Sequence, residues 1–206
     1  MPFPQEPVQS QSDSSPTPPS LRLVGKVRYR KRVVSVVGLA AFVIFSVAGG
    51  LSIGREWSLY GFDDWQTYPG IWLGGAILLL MSCHELLHGL ASIGFGGLKW
   101  SQVKFGISLK GLLIYCHPTE PMSVRAYRTV LMLPLYVTGA GCLLLLLWIR
   151  QSWLAFIWGM AIGMSVGDVW TWAKLLRWDD TLLAQDSQLE PGCDIYASEK
   201  AETLKS

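Results

Sequence analysis

Two of the chain's three histidines stand four residues apart, with a glutamate between them, in Ser82-Cys83-His84-Glu85-Leu86-Leu87-His88-Gly89. On an α-helix, positions i and i+4 differ by about 40° around the axis and about 6 Å along it, so His84 and His88 can aim both imidazoles at one ion. Glu85 projects close to the same face, one step round, where a carboxylate takes a proton from an activated water instead of ligating the metal. Gly89 leaves room beside His88. The pattern is His-Glu-x-x-His, and the ion it calls for is zinc. The plainer alternative is a pair of helical histidines hydrogen-bonded to their neighbours. The setting weighs against it: the motif follows "IWLGGAILLLM", and each ionisable group inside such a stretch carries an insertion cost of about 2.5–3.5 kcal/mol, so a cluster of them marks function.

A catalytic zinc site needs a third protein ligand and an open position. The extended motif would supply a histidine six residues after His88, but that position is Gly94. Asp168, in "GMSVGDVWTW", is the first candidate. It lies about as far from the end of its own apolar segment as His84 does from the end of its segment, roughly 12–14 Å at helical rise. Gly159, Gly163 and Gly167 form a stripe of small residues that lets another helix come close. His117, in "IYCHPTEP", is the second candidate, with a substrate contact or a structural role as its other reading; Glu120 is weaker. Cys83 points about 100° away from His84 and reads as packing. Cys83, Cys116, Cys142 and Cys193 show no CxxC spacing and read as free thiols.

The elements that must position these groups are apolar. Half of the 206 residues are hydrophobic, 16% are charged and ten are tryptophan, which points away from an ordinary soluble domain. Four segments, about 33–53, 71–93, 130–149 and 153–176, are long enough to cross roughly 30 Å of hydrocarbon. Lys26, Arg28, Arg30, Lys31 and Arg32 crowd the near side of the first segment, and Lys99, Lys104, Lys110, Arg125 and Arg128 follow the second. The short third loop has only Arg150, and Arg177 follows the fourth segment. This alternation predicts an integral, multi-pass protein with both termini in the cytoplasm. The bases report topology, and a formal net charge of +2 makes no case for nucleic acid.

The domain reading follows. Residues 1–25, rich in Pro, Ser and Gln, form a disordered tail with no apolar stretch for a cleaved signal peptide. Residues 26–178 form the membrane domain. Residues 179–206, with Asp180, Asp186, Glu190 and a Gly192 turn, form a cytoplasmic cover or regulatory tail. The fold expected is an all-α bundle of four transmembrane helices with a short cytoplasmic β-hairpin in "VKFGISLKGLLIYCH", turning at Lys110-Gly111. An exposed edge of that hairpin suits an extended peptide. Pro134, in "LMLPLYV", kinks the third segment or loosens its backbone.

"HELLHGLASIGFGG", "VKFGI", "YCHP", "YRTVLMLPLYVTG", "SVGDVW" and "AQDSQLEPGCDIY", in this order, resemble the landmarks of a family of small membrane proteins known as "putative zincin peptidases". That family is similar in plan to the site-2 proteases, intramembrane zinc metalloproteases. The resemblance covers about residues 70–196. It implies His84, His88 and Asp168 as zinc ligands and Glu85 as catalytic base. The site-2 proteases carry an Asn-Pro and Asp-Gly pattern around the third ligand, where this chain has "VGDVW".

The function expected is a zinc-dependent intramembrane endopeptidase. It would cut a membrane protein or peptide in or beside the bilayer, near its cytoplasmic side. The alternative is a metal-binding membrane scaffold or assembly factor without turnover. A metal or proton transporter is a third reading, disfavoured by one compact site and no internal repeat.

Overall fold

A computed structural model describes residues 21–53, 69–108, 113–187 and 191–198. Among the described residues six α-helices form the body: α1 (Lys31–Ser52), α2 (Pro69–Gly94), α3 (Val124–Pro134), α4 (Ala140–Ile149), α5 (Ser152–Met164) and α6 (Val166–Leu175). A π-turn over Leu135–Gly139 joins α3 to α4, and Ser165 joins α5 to α6, so the six make four rods. Lys31–Ser52, Trp72–Gly94, Val124–Ile149 and Ser152–Leu175 are long and apolar enough to cross a membrane. Val36, Leu39 and Ile44 on α1, and Leu144 and Trp148 on α4, are exposed. Contiguous apolar surface of that kind suits contact with hydrocarbon.

The third rod starts six residues before the segment expected from hydropathy. Arg125 and Arg128 kept those residues out of an apolar window, yet Ser123 caps the helix with its hydroxyl, which accepts from the Ala126 N–H at 3.2 Å. Pro134 does interrupt the regular ladder: the π-turn follows it directly, and the Thr138 hydroxyl donates to the Pro134 carbonyl at 2.7 Å.

The α1–α5 contact depends on missing side chains. A Cβ on Gly163 would stand 2.8 Å from the Gly38 carbonyl oxygen, and one on Gly159 would stand 2.1 Å from the Ser46 hydroxyl. Two members of the small-residue stripe therefore let α1 approach α5 at backbone distance.

The all-α expectation is corrected by six strands among the described residues. Strands β2 (Val103–Ser108) and β3 (Leu113–Pro118) pair antiparallel from Val103↔Pro118 to Ser108↔Leu113, as the hairpin reading anticipated; the turn at Lys110-Gly111 lies outside the described residues. A second sheet was not expected. Strands β1 (Leu21–Arg28), β4 (Met122–Ser123), β5 (Leu183–Asp186) and β6 (Gly192–Ser198) form an antiparallel sheet in the order β1-β6-β5-β4. Strand β1 starts inside the stretch read as tail; residues 1–20 lie outside the described residues. Its partner β6 is some 170 residues away, a pairing that short-range pattern cannot report.

One buried core ties this sheet to the helices: Val27, Ala184, Cys193 and Ile195 pack with Ala91, Val124, Tyr127, Val130 and Leu175. The sheet thereby collects the start of α1, the start of α3 and the end of α6 at one end of the bundle. The side chain of Arg128 fastens the corner, donating to Asp180 and to the carbonyls of Leu175 and Trp178.

Candidate metal centre

Helix α2 carries His84 and His88 on one face, and α6 brings Asp168 to them. The three donor atoms form a small triangle: His84 Nε2 to Asp168 Oδ2 is 3.1 Å, His84 Nε2 to His88 Nε2 is 3.2 Å, and His88 Nε2 to Asp168 Oδ2 is 3.4 Å. A tetrahedral zinc with N and O ligands at about 2.0–2.1 Å has ligand-to-ligand edges of about 3.3 Å. The donor set therefore fits one face of such a polyhedron. His84 is 4% exposed, whereas its neighbour Cys83 is exposed, in keeping with the 100° step between them.

The orientation of His88 has an identifiable cause in the sequence. In a regular helix the Val130 carbonyl would accept from the N–H of residue 134, but residue 134 is proline and has none. That carbonyl accepts instead from His88 Nδ1 at 3.0 Å. The bond places the proton on Nδ1 and leaves the Nε2 lone pair facing the triangle. Among the described residues His84 has no such support: its Nδ1 is buried without a hydrogen-bond partner there.

Glu85 lies one position round the helix, its donor atom within 4.8 Å of those of both histidines. Its Oε2 accepts from the Cys116 backbone N–H at 2.8 Å, so strand β3 fixes the carboxylate from outside the helix. Burial, then the neighbouring Glu85 and Asp186 carboxylates, push the Cys116 thiol up to about 12, so it stays protonated beside the centre. Gly89 does leave room, and Phe105 of β2 takes it: a Cβ there would lie 2.3 Å from the ring.

His117, the other candidate third ligand, is not part of the triangle. Its Nδ1 stands 3.8 Å from Asp186 Oδ2, and its Nε2 is buried with no hydrogen-bond partner among the described residues. His117, Glu85, His88, Asp168 and Asp186 line one cavity of about 480 Å³. Glu120 is exposed.

Sequence reasoning missed much of this wall. Asp186 accepts from the Tyr127 hydroxyl and joins Tyr29, Thr171 and Ser187 around the cavity. Burial, then Asp168 and Asp186, raise the Tyr29 phenol above its ordinary value. An Asp in a mixed polar tail and a Tyr after an arginine carry no local signal of such a role. The cluster has a second opening: a groove of about 740 Å³ between α1, α2 and α5 reaches His84, Glu85 and Asp168 past Leu39, Phe42 and Met160.

A family model described as "Putative zincin peptidase" matches residues 77–182, which include all four residues of the centre. No curated protein and no solved structure matches the chain.

Proposed function

The chain belongs to the family described as "Putative zincin peptidase", and on that premise we propose that it is a zinc-dependent endopeptidase acting on membrane proteins within or beside the bilayer, near the cytoplasmic side. The observation that carries the reading is the triangle of His84, His88 and Asp168 donors with edges of 3.1–3.4 Å and Glu85 beside it. These three residues would hold zinc. Bound there, the ion supplies Lewis acidity, polarising a carbonyl and bringing the pKa of water towards about 7.

The remaining chemistry belongs to the side chains. The Cys116 N–H holds one oxygen of Glu85, and the other takes a proton as water oxygen bonds to the scissile carbonyl carbon. Glu85 then returns that proton to the amide nitrogen as the C–N bond breaks. The His88–Val130 bond keeps the ligand's lone pair aimed through the cycle. The groove past Leu39, Phe42 and Met160 supports access for an apolar segment, and the polar cavity beneath the sheet supports departure of a cut end into water. The bases Lys26, Arg28, Arg30 and Lys31 at the sheet end support a cytoplasmic assignment for that end and both termini.

Sequencing the new N-termini in membranes that contain the wild type or Glu85→Gln tests the proposal. Termini within or next to apolar spans, produced only by the wild type, are the expected result. Identical sets of termini, with Glu85→Gln rescuing a deletion phenotype in full, would leave a metal-binding scaffold as the function.

A further inference from the structure

Six cations converge where β1, the start of α1 and the end of α6 meet. Arg28, Arg30, Lys31 and Lys174 line a cavity of about 570 Å³; Lys26, Arg28, Lys174 and Arg177 line a second of about 520 Å³. No carboxylate lines either among the described residues. Arg28 is matched by Asp194 at 2.5 Å, and Lys174 Nζ donates to the neutral Arg28 carbonyl at 2.6 Å while standing 5.9 Å over the Trp170 ring.

A third cavity, a groove of about 580 Å³, starts from the same place and is apolar. Val37, Ala41 and Phe45 of α1 face Val166, Val169 and Ala173 of α6 across it, and Trp170, Lys174 and Arg177 close its upper end. Trp170 lines both the basic cavity and the groove, so the two share a wall. The groove thus runs along two rods that can cross a membrane, and the cations sit at their polar ends.

We propose that this junction binds one anionic phospholipid: the phosphate lies among Lys26, Arg30, Lys31, Lys174 and Arg177, and an acyl chain fills the groove between α1 and α6. The proposal goes beyond the peptidase reading and rests on the four rods being membrane spans. Neither half of the site alone identifies the ligand. A free phosphate leaves the groove empty, an apolar chain brings no anion to Lys26, Arg30, Lys31, Lys174 and Arg177, and a zwitterionic head group brings a cation of its own into a cavity without a carboxylate. Basic pockets at the cytoplasmic ends of membrane helices bind anionic head groups for this reason.

Native mass spectrometry of the full chain, stripped of lipid and titrated with palmitoyl-oleoyl phosphatidylglycerol or phosphatidylcholine, reads the site. One phosphatidylglycerol per chain, retained where phosphatidylcholine is lost, is expected. Lys31→Gln with Arg177→Gln should weaken retention about 25-fold, at about fivefold per charge. Ala173→Phe, which fills the groove and keeps every charge, should weaken it too, so the proposal stays testable if the charge variant folds poorly. Soluble glycerophosphoglycerol and inorganic phosphate should bind at least about a hundredfold more weakly, lacking buried methylenes. Equal retention of the two lipids, unchanged retention in folded variants, or phosphate binding as tight as lipid would each overturn the assignment.

Discussion

Two pairings of histidine with aspartate, His88 with Asp168 and His117 with Asp186, border one cavity and differ in kind. On one side His84, His88 and Asp168 bring three donor atoms within 3.1–3.4 Å of one another. On the other, His117 Nδ1 and Asp186 Oδ2 stand 3.8 Å apart, outside hydrogen-bond range, and the Tyr127 hydroxyl already donates to Asp186. The elements explain the difference. His84 and His88 sit on one rigid helix at a spacing that fixes their separation, and the second helix is locked into the same core. His117 and Asp186 come from strands of separate sheets, β3 pairing with β2 and β5 with β4 and β6. A metal needs convergent lone pairs held to tenths of an ångström; the first arrangement supplies them and the second does not.

The sharpest way to break this comparison is to remove a carboxylate from each side. Asp168→Ala should take the purified protein from about one zinc per chain to essentially none, measured by elemental mass spectrometry, because two histidines do not make a closed set. Asp186→Ala should keep about one. Zinc lost with Asp186→Ala and kept with Asp168→Ala, in folded protein, would exchange the roles of the two clusters.

Next in size is the base. Glu85→Gln keeps the Cys116 N–H bond available to an amide oxygen while removing the proton acceptor. Zinc content should be unchanged and cleavage of an authentic substrate should fall by about 10²–10⁴-fold, the usual range for general-base loss. Wild-type cleavage by Glu85→Gln would sink the mechanism.

A smaller effect is expected at Pro134, which touches no ligand. Pro134→Ala restores an N–H that competes with His88 Nδ1 for the Val130 carbonyl. Zinc affinity should fall about 10–100-fold, as when outer partners of metal histidines are removed. A competition titration with a chelator checks this, and a helix straightened with no change in affinity would reduce Pro134 to a kink.

The meeting of His84, His88 and Asp168 was legible in the sequence because the signals for it are local or additive. The i, i+4 spacing of His84 and His88, the apolar length of each rod, and the equal depth of His84 and Asp168 all follow from rise and rotation per residue. Pro134 was legible as an irregularity, but its consequence was not, since the carbonyl it releases is used by a residue 42 positions away. The sheet β1-β6-β5-β4 was missed for a related reason: β4 is two residues long, and β1 and β6 pair only across the whole chain. The Tyr127–Asp186 contact hangs on that sheet, so this half of the cavity became visible only with the fold.

The smallest expected effect sharpens the comparison most finely. His117 has the residue type of a ligand, lines the cavity, and has a buried Nε2 with no hydrogen-bond partner among the described residues, so His117→Ala separates chemistry of type from chemistry of position. Zinc content should stay at about one per chain, because the three lone pairs of the triangle are untouched. Any loss of cleavage should therefore appear with the metal in place, as the change expected of a substrate contact. His117→Gln, which keeps a donor at a similar reach, should recover part of that loss, whereas a purely structural role would give the same rates for Ala and Gln. Loss of zinc in folded His117→Ala protein would return this histidine to the ligand set as the alternative to Asp168.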